Sequence, residues 1–301
     1  MNISKSILSI TSPGTYLVPN DTDLNIKITT ETNDELAAIC QQHPDRFKFF
    51  ASLPLPGLDE SVAEIDRALD QIGAVGFTIM SNSAGVYPGD KKFKSVWDKL
   101  NERNAIVLLH PTSCHLCDGH GHAESSKPPS ARPTPAILEH SPIPGFPNPM
   151  LEFPFETTRA MVSLILSGTL QRCSNVKVII PHAGAVIPPL IARFATFSTL
   201  MARFPGSSVV AVSIPEVKAI LNRQCFFDLA GMPFPDQIGG LLGVVPNKER
   251  ILFGTDFPYT PPDSLLAAQK MVDGAMMALF GENTGKILMT NIAQVIPISK
   301  L

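Results

Sequence analysis

Three polar residues each follow an apolar, β-branched run. His110 ends Ile106-Val107-Leu108-Leu109, His182 follows Val178-Ile179-Ile180-Pro181, and Asp256 follows Ile251-Leu252-Phe253-Gly254-Thr255. Two imidazoles and a carboxylate are donors that suit Zn²⁺ or Mn²⁺, and an ion with an open coordination position acts as a Lewis acid. Strand ends in a parallel barrel converge on one rim, so residues far apart in sequence are expected together there. Taken one at a time, the same residues also suit capping and hydrogen-bonding duties at strand–helix junctions. Both readings stand at this point.

A second tract, Cys114-His115-Leu116-Cys117-Asp118-Gly119-His120-Gly121-His122, pairs two cysteines two residues apart with three histidines. That is a zinc-binding type of pattern. A structural zinc site usually draws a second pair from a separate segment, so a solvated loop is the competing reading. Glu156 is expected in the first turn of a helix, where the helix dipole favours a carboxylate. Arg193 lies on the helix after His182 and reads by itself as a solvated residue. Tyr87-Pro88-Gly89-Asp90 reads as a turn and Trp97 as core packing.

The elements that must position these groups alternate regularly. Apolar runs at 6–10, 47–53, 75–80, 106–109, 176–180, 225–229 and 251–253 read as strands. Helical periodicity falls at 33–42, 59–71, 92–103, 156–170, 188–203, 215–221, 262–279 and 285–295. Several of these starts carry an acidic residue or an early proline, Asp59 and Pro188 among them. Strands alternating with helices over this length favour a (β/α)8 barrel above an open doubly wound sheet, and no Gly-x-Gly-x-x-Gly follows any run. The stretch 111–149 is rich in Pro, Ser, Gly and His and reads as a long insertion loop on the catalytic face of one domain spanning 1–301.

Composition narrows the function. With 44% hydrophobic and 17% charged residues the chain is a globular protein with a sizeable core, not a disordered one. A net charge of −3 provides no cationic face for tracking phosphates, so nucleic acid is not an expected partner. No run approaches the length of a membrane span. Five scattered cysteines make no disulfide framework, and the expected setting is the reducing cytoplasm.

The motifs resemble the decarboxylase branch of the amidohydrolase superfamily, which holds the aminocarboxymuconate semialdehyde, γ-resorcylate and fungal 6-methylsalicylate decarboxylases. The last group is the most similar. The resemblance runs through Ile7-Leu8-Ser9-Ile10-Thr11-Ser12-Pro13-Gly14, Phe50-Ala51-Ser52-Leu53-Pro54, Tyr87-Pro88-Gly89-Asp90 and His110-Pro111-Thr112-Ser113. It continues in Glu152 to Arg159, Pro181-His182-Ala183-Gly184 and Gly254-Thr255-Asp256-Phe257-Pro258. It implies a TIM-barrel-like fold and metal-dependent, non-oxidative decarboxylation of a small aromatic acid in polyketide secondary metabolism.

By the same resemblance His110 and Asp256 are metal ligands, with zinc the first expectation and manganese the second. Asp256 is also the proton donor, and His182 is the catalytic histidine beside the metal. Arg193 binds the substrate carboxylate, in some relatives across a homodimer, and Tyr259 lines the pocket. The family begins with a strand ending in His-x-His. No such motif precedes His43, so the chain starts where the family's second strand starts. His120 and His122 of the insertion are candidate replacement ligands. The alternatives are a metal-dependent hydrolase of an amide, ester or lactone, and a truncated or inactive paralogue acting as a binding partner.

Overall fold

The computed structural model describes residues 3–116, 136–137, 147–259, 270, 273–279, 281–282 and 284–296. The chain divides into two compact units, Met1–Lys99 with His110–Leu164, and Leu100–Leu109 with Ile165–Leu301.

In the first unit, β1 (Ser6–Leu8), β2 (Phe47–Ser52) and β3 (Gly76–Met80) pair in parallel. The register sets Ser6 opposite Phe47 and Ser52 opposite Thr78. Parallel neighbours need a crossover, and α1 (Thr22–Gln42) and α2 (Leu58–Asp70) provide it. Phe49, Phe50, Ala51, Phe77 and Ile79 are buried without alternation, as expected for strands covered on both faces. Trp97, on α3 (Lys94–Glu102), is buried and its indole N–H donates to the Pro88 carbonyl at 2.8 Å.

Helix α1 begins eleven residues before the periodicity at 33–42 indicates. Its buried positions are Asn25, Thr29, Asn33, Leu36 and Ala37, a stripe that is polar for most of its length. Asn25 accepts the Leu17 and Val18 N–H groups, and Asn33 donates to the Ser52 carbonyl and the Glu64 carboxylate. Hydrophobic periodicity has nothing to register there.

The rest of this unit holds a short antiparallel pair, β5 (His115–Leu116) with β6 (Ala136–Ile137), and α4 (Asn148–Leu166). Most of the expected insertion loop lies outside the described residues. Helix α4 starts eight residues before Glu156 and carries Pro154 inside it. Glu156 therefore sits in the third turn, and the first-turn dipole reading is wrong. Gly89 lies so close to α4 that a Cβ there would fall 2.2 Å from the Ser163 carbonyl oxygen, so no larger residue fits.

In the second unit β4 (Ile106–His110), β7 (Lys177–Ile180), β8 (Cys225–Asp228) and β9 (Ile251–Leu252) pair in parallel in that order. All seven strands match the apolar runs of the sequence. The short α5 (Thr169–Arg172) leads into β7, and a single turn, α6 (Pro181–Gly184), leaves it. Helices α7 (Ile187–Met201), α8 (Ile214–Gln224), α9 (Asp236–Val244) and α10 (Thr284–Val295) complete the unit. Helix α9 was not foreseen, because Gly239, Gly240 and Gly243 depress its intrinsic helical tendency. Of the expected helix at 262–279, residues 273–279 are helical and most of the remainder lies outside the described residues. Among the described residues no helix is long and apolar enough to cross a membrane.

Candidate functional site

His110 ends β4 and is tied to the loops after β1 and β3. Its Nδ1 lies 2.7 Å from the Pro111 carbonyl oxygen, which can only accept, so Nδ1 carries the proton. Nε2 then holds the lone pair, and the Thr11 hydroxyl approaches it at 3.3 Å. The His110 carbonyl accepts the Ser81 N–H at 2.7 Å, and the Ser81 hydroxyl accepts the Thr112 N–H at 3.0 Å. Ser12 and Thr112 share a hydroxyl–hydroxyl bond of 2.8 Å.

Behind this segment stands Glu156, whose side chain is fully buried. Oε1 accepts from the Tyr87 hydroxyl at 2.9 Å and from Arg159 Nη1 at 2.5 Å, and Oε2 accepts from Asn82 Nδ2 at 3.0 Å. Asn82 also donates to the Ser113 carbonyl, three residues past His110. A buried carboxylate is tolerable only when so fully paired. Burial, helped by the neighbouring Glu156 charge, pushes the Tyr87 phenol above its ordinary range. The Cys114 thiol rises for the same two reasons, and its sulfur accepts from Arg159 at 3.1 Å. Cys114 is thus a buried packing group. His120, His122 and Cys117 lie outside the described residues.

In the second unit β7 delivers His182 into a run of left-handed backbone. His182, Ala183, Gly184 and Ala185 have φ of 55°, 49°, 81° and 54°. Such angles are rare for residues with a Cβ, and they persist where the surroundings over-determine them. Asp228, the last residue of β8, accepts both the His182 and the Ala230 N–H on Oδ1 at 3.0 Å. His182 Nδ1 faces the Ala230 carbonyl at 3.2 Å, which again fixes the proton on Nδ1. Gln237 donates to the carbonyls of His182 and Ala185.

Asp256 follows β9 with φ 55°, also left-handed. Burial pushes its carboxyl above the usual carboxylate range, the Asp228 charge adds to the rise, and His182 opposes it. Burial likewise raises Asp228. His182 and Asp256 are therefore electrostatic neighbours. Arg193 is exposed, and its guanidinium carbon lies 5.3 Å from the Phe197 ring centroid. Tyr259 is exposed, as are Phe257 and Met232.

Asp228 escaped the sequence reading, and Glu156 was read only as a first-turn carboxylate. Asp228 ends an apolar strand just as His110 does, and that signal was there to use. Glu156 left no such trace, since its partners lie 69 and 74 residues away. His110 and Asp256 belong to different units. Among the described residues no three His, Cys, Asp or Glu side chains form a metal ligand set.

Parallel strands joined by helices, with His110 ending β4, Asp228 ending β8 and Asp256 following β9, define an α/β protein. The chain belongs to the amidohydrolase family, whose profile matches residues 11–295. It is 32% identical over 271 residues to a 6-methylsalicylic acid decarboxylase of Penicillium expansum, covering 88% of this chain and 74% of that protein. A crystal structure described as an amidohydrolase II is 29% identical with a TM-score of 0.78, covering 97% of this chain and 83% of that one. A 5-carboxyvanillate decarboxylase from Novosphingobium aromaticivorans, solved with manganese and a nitrobenzoic acid, has a TM-score of 0.76 at 20% identity, over 97% of this chain and 76% of that one. The barrel-type fold and the family expected from the sequence are both borne out.

Proposed function

We propose that this chain catalyses non-oxidative decarboxylation of a small aromatic acid of the 6-methylsalicylate or orsellinate type, in cytoplasmic secondary metabolism. The observation that carries the proposal is the place of the Asp256 carboxyl, half-buried just past the end of β9 with His182 as its electrostatic neighbour. Loss of CO₂ leaves an electron pair on a ring carbon, and a free aryl anion is far too basic to form in water. The ring carbon must be protonated as the C–C bond breaks, which calls for a positioned acid.

Asp256 gives its proton to the carbon bearing the carboxylate, the bond pair returns to the ring as CO₂ leaves, and Asp256 regains a proton from water. His182, with Nδ1–H turned to Ala230, offers Nε2 as acceptor to the ortho phenol. Arg193 anchors the carboxylate through its planar pair of N–H donors, and Tyr259 supplies an aromatic wall.

Arg193 lies on a helix whose Leu190, Phe197, Leu200 and Met201 are exposed at helical spacing. The proposal accordingly includes a homodimer in which this face is covered. A divalent ion, zinc or manganese, belongs to the same reading, with His110 and Asp256 as the ligands the resemblance assigns. The relatives' names and the fold support the substrate class.

The test is incubation of the purified chain with 6-methylsalicylate, following CO₂ and 3-methylphenol, with elemental analysis of the same preparation. Release of the two products in equal amounts is expected. Consumption of substrate without CO₂, or no consumption with or without added Zn²⁺ or Mn²⁺, would overturn the reading.

A further inference from the structure

The end of β8 and the segment following it hold three polar atoms of His182. Asp228 Oδ1 takes its backbone N–H, Gln237 donates to its carbonyl oxygen, and the Ala230 carbonyl faces ring Nδ1. Gly231, with φ 74°, lies so near that a Cβ there would stand 3.0 Å from Nδ1. Asp228 itself is wedged against the next strand end, since a Cβ on Gly254 would stand 3.2 Å from both its Cβ and its Cγ. One side chain therefore joins the turn carrying His182 to the strand leading to Asp256.

We propose that Asp228 is a positioning residue for His182: its Oδ1, accepting the His182 and Ala230 N–H groups together, holds the left-handed turn that aims the imidazole. The alternative role for a desolvated carboxylate beside two catalytic groups is acid–base chemistry. The geometry favours positioning, because both contacts of Oδ1 are backbone N–H groups and neither carries a proton that the reaction exchanges. Left-handed backbone is unfavourable for residues with a Cβ such as His182 and Ala183, so the turn relaxes unless its N–H and carbonyl are held. The inference rests on His182 being an active-site residue.

The two roles separate on substitution. Asp228→Asn keeps an Oδ1 acceptor and loses the charge, whereas Asp228→Ala loses both. Two readouts are used: the ¹⁵N shifts of the His182 ring in labelled protein, which need no activity, and the kcat and KM for 6-methylsalicylate. For Asp228→Ala we expect the Nδ1-protonated pattern of His182 to give way to a mixture, and kcat to fall 100-fold or more with KM changed less than threefold. Asp228→Asn should keep the wild-type ring shifts and stay within about fivefold of wild-type kcat.

Asp228→Asn as inactive as Asp228→Ala, with wild-type ring shifts, would overturn the proposal in favour of a charge or proton role. Unchanged shifts in Asp228→Ala would also overturn it. If Asp228→Ala does not fold, Gln237→Ala releases the same turn from its carbonyl side and must move the same ring signals; unmoved signals would count against positioning. If the wild-type protein turns over no aromatic acid, the functional reading fails while the ring shifts still decide the role of Asp228.

Discussion

The Tyr87 hydroxyl donates at 2.9 Å to a carboxylate oxygen of Glu156 that is also held by Arg159, while Asn82 holds the other oxygen. Removing the carboxylate strands two buried donors, each worth about 1–3 kcal/mol when left without an acceptor. Glu156→Ala is expected to lose roughly 3 kcal/mol of stability in urea titration, and Tyr87→Phe about 1 kcal/mol, since Glu156 then keeps two donors. Equal losses in the two variants would mean that Glu156 is not the hub.

Asp256→Asn removes the proposed proton donor while keeping nearly the same shape. General acids contribute about 10²- to 10⁴-fold, so kcat for CO₂ release should fall by that factor with the thermal midpoint little changed. Activity within fivefold of wild type would remove Asp256 from the acid role.

Arg193→Ala should raise KM for the carboxylate substrate at least tenfold. Phe197→Glu places a charge on the exposed apolar face of α7 and should shift the sedimentation coefficient from dimer to monomer. A wild-type chain that sediments as a monomer at micromolar concentration contradicts the dimer outright.

Ser213 and Glu216 cap α8 reciprocally, and the Ser213 hydroxyl and N–H bonds hold the Glu216 carboxyl below its ordinary range. A carboxyl whose folded value is depressed stabilises the fold above the unfolded value, and that contribution disappears as pH falls through the folded one. Ser213→Ala should cost about 1 kcal/mol at pH 7, and the gap to wild type should narrow at pH 3. A gap independent of pH would leave the hydroxyl's bond to the backbone as the whole effect.

The strands and the polar residues that follow them were legible from the chain alone. Strands buried on both faces are continuous apolar runs, and a polar residue such as His110 marks where such a run ends. The helix around Trp97, and α7 and α8, were readable for a related reason, since their buried faces are mostly apolar.

Burial of polar groups left no comparable mark. The stripe of Asn25, Thr29 and Asn33 conceals half of α1, and Pro154 disguised the true start of α4 and with it the depth of Glu156. Nothing local distinguishes a solvated glutamate from one enclosed by Asn82, Tyr87 and Arg159. The same holds for Asp228, which accepts the His182 N–H from the left-handed turn after the neighbouring β7 together with the Ala230 N–H of its own segment. Apolar burial is paid out residue by residue along the chain, but a buried charge is acceptable only once distant partners have arrived, and that assembly exists in the tertiary structure alone.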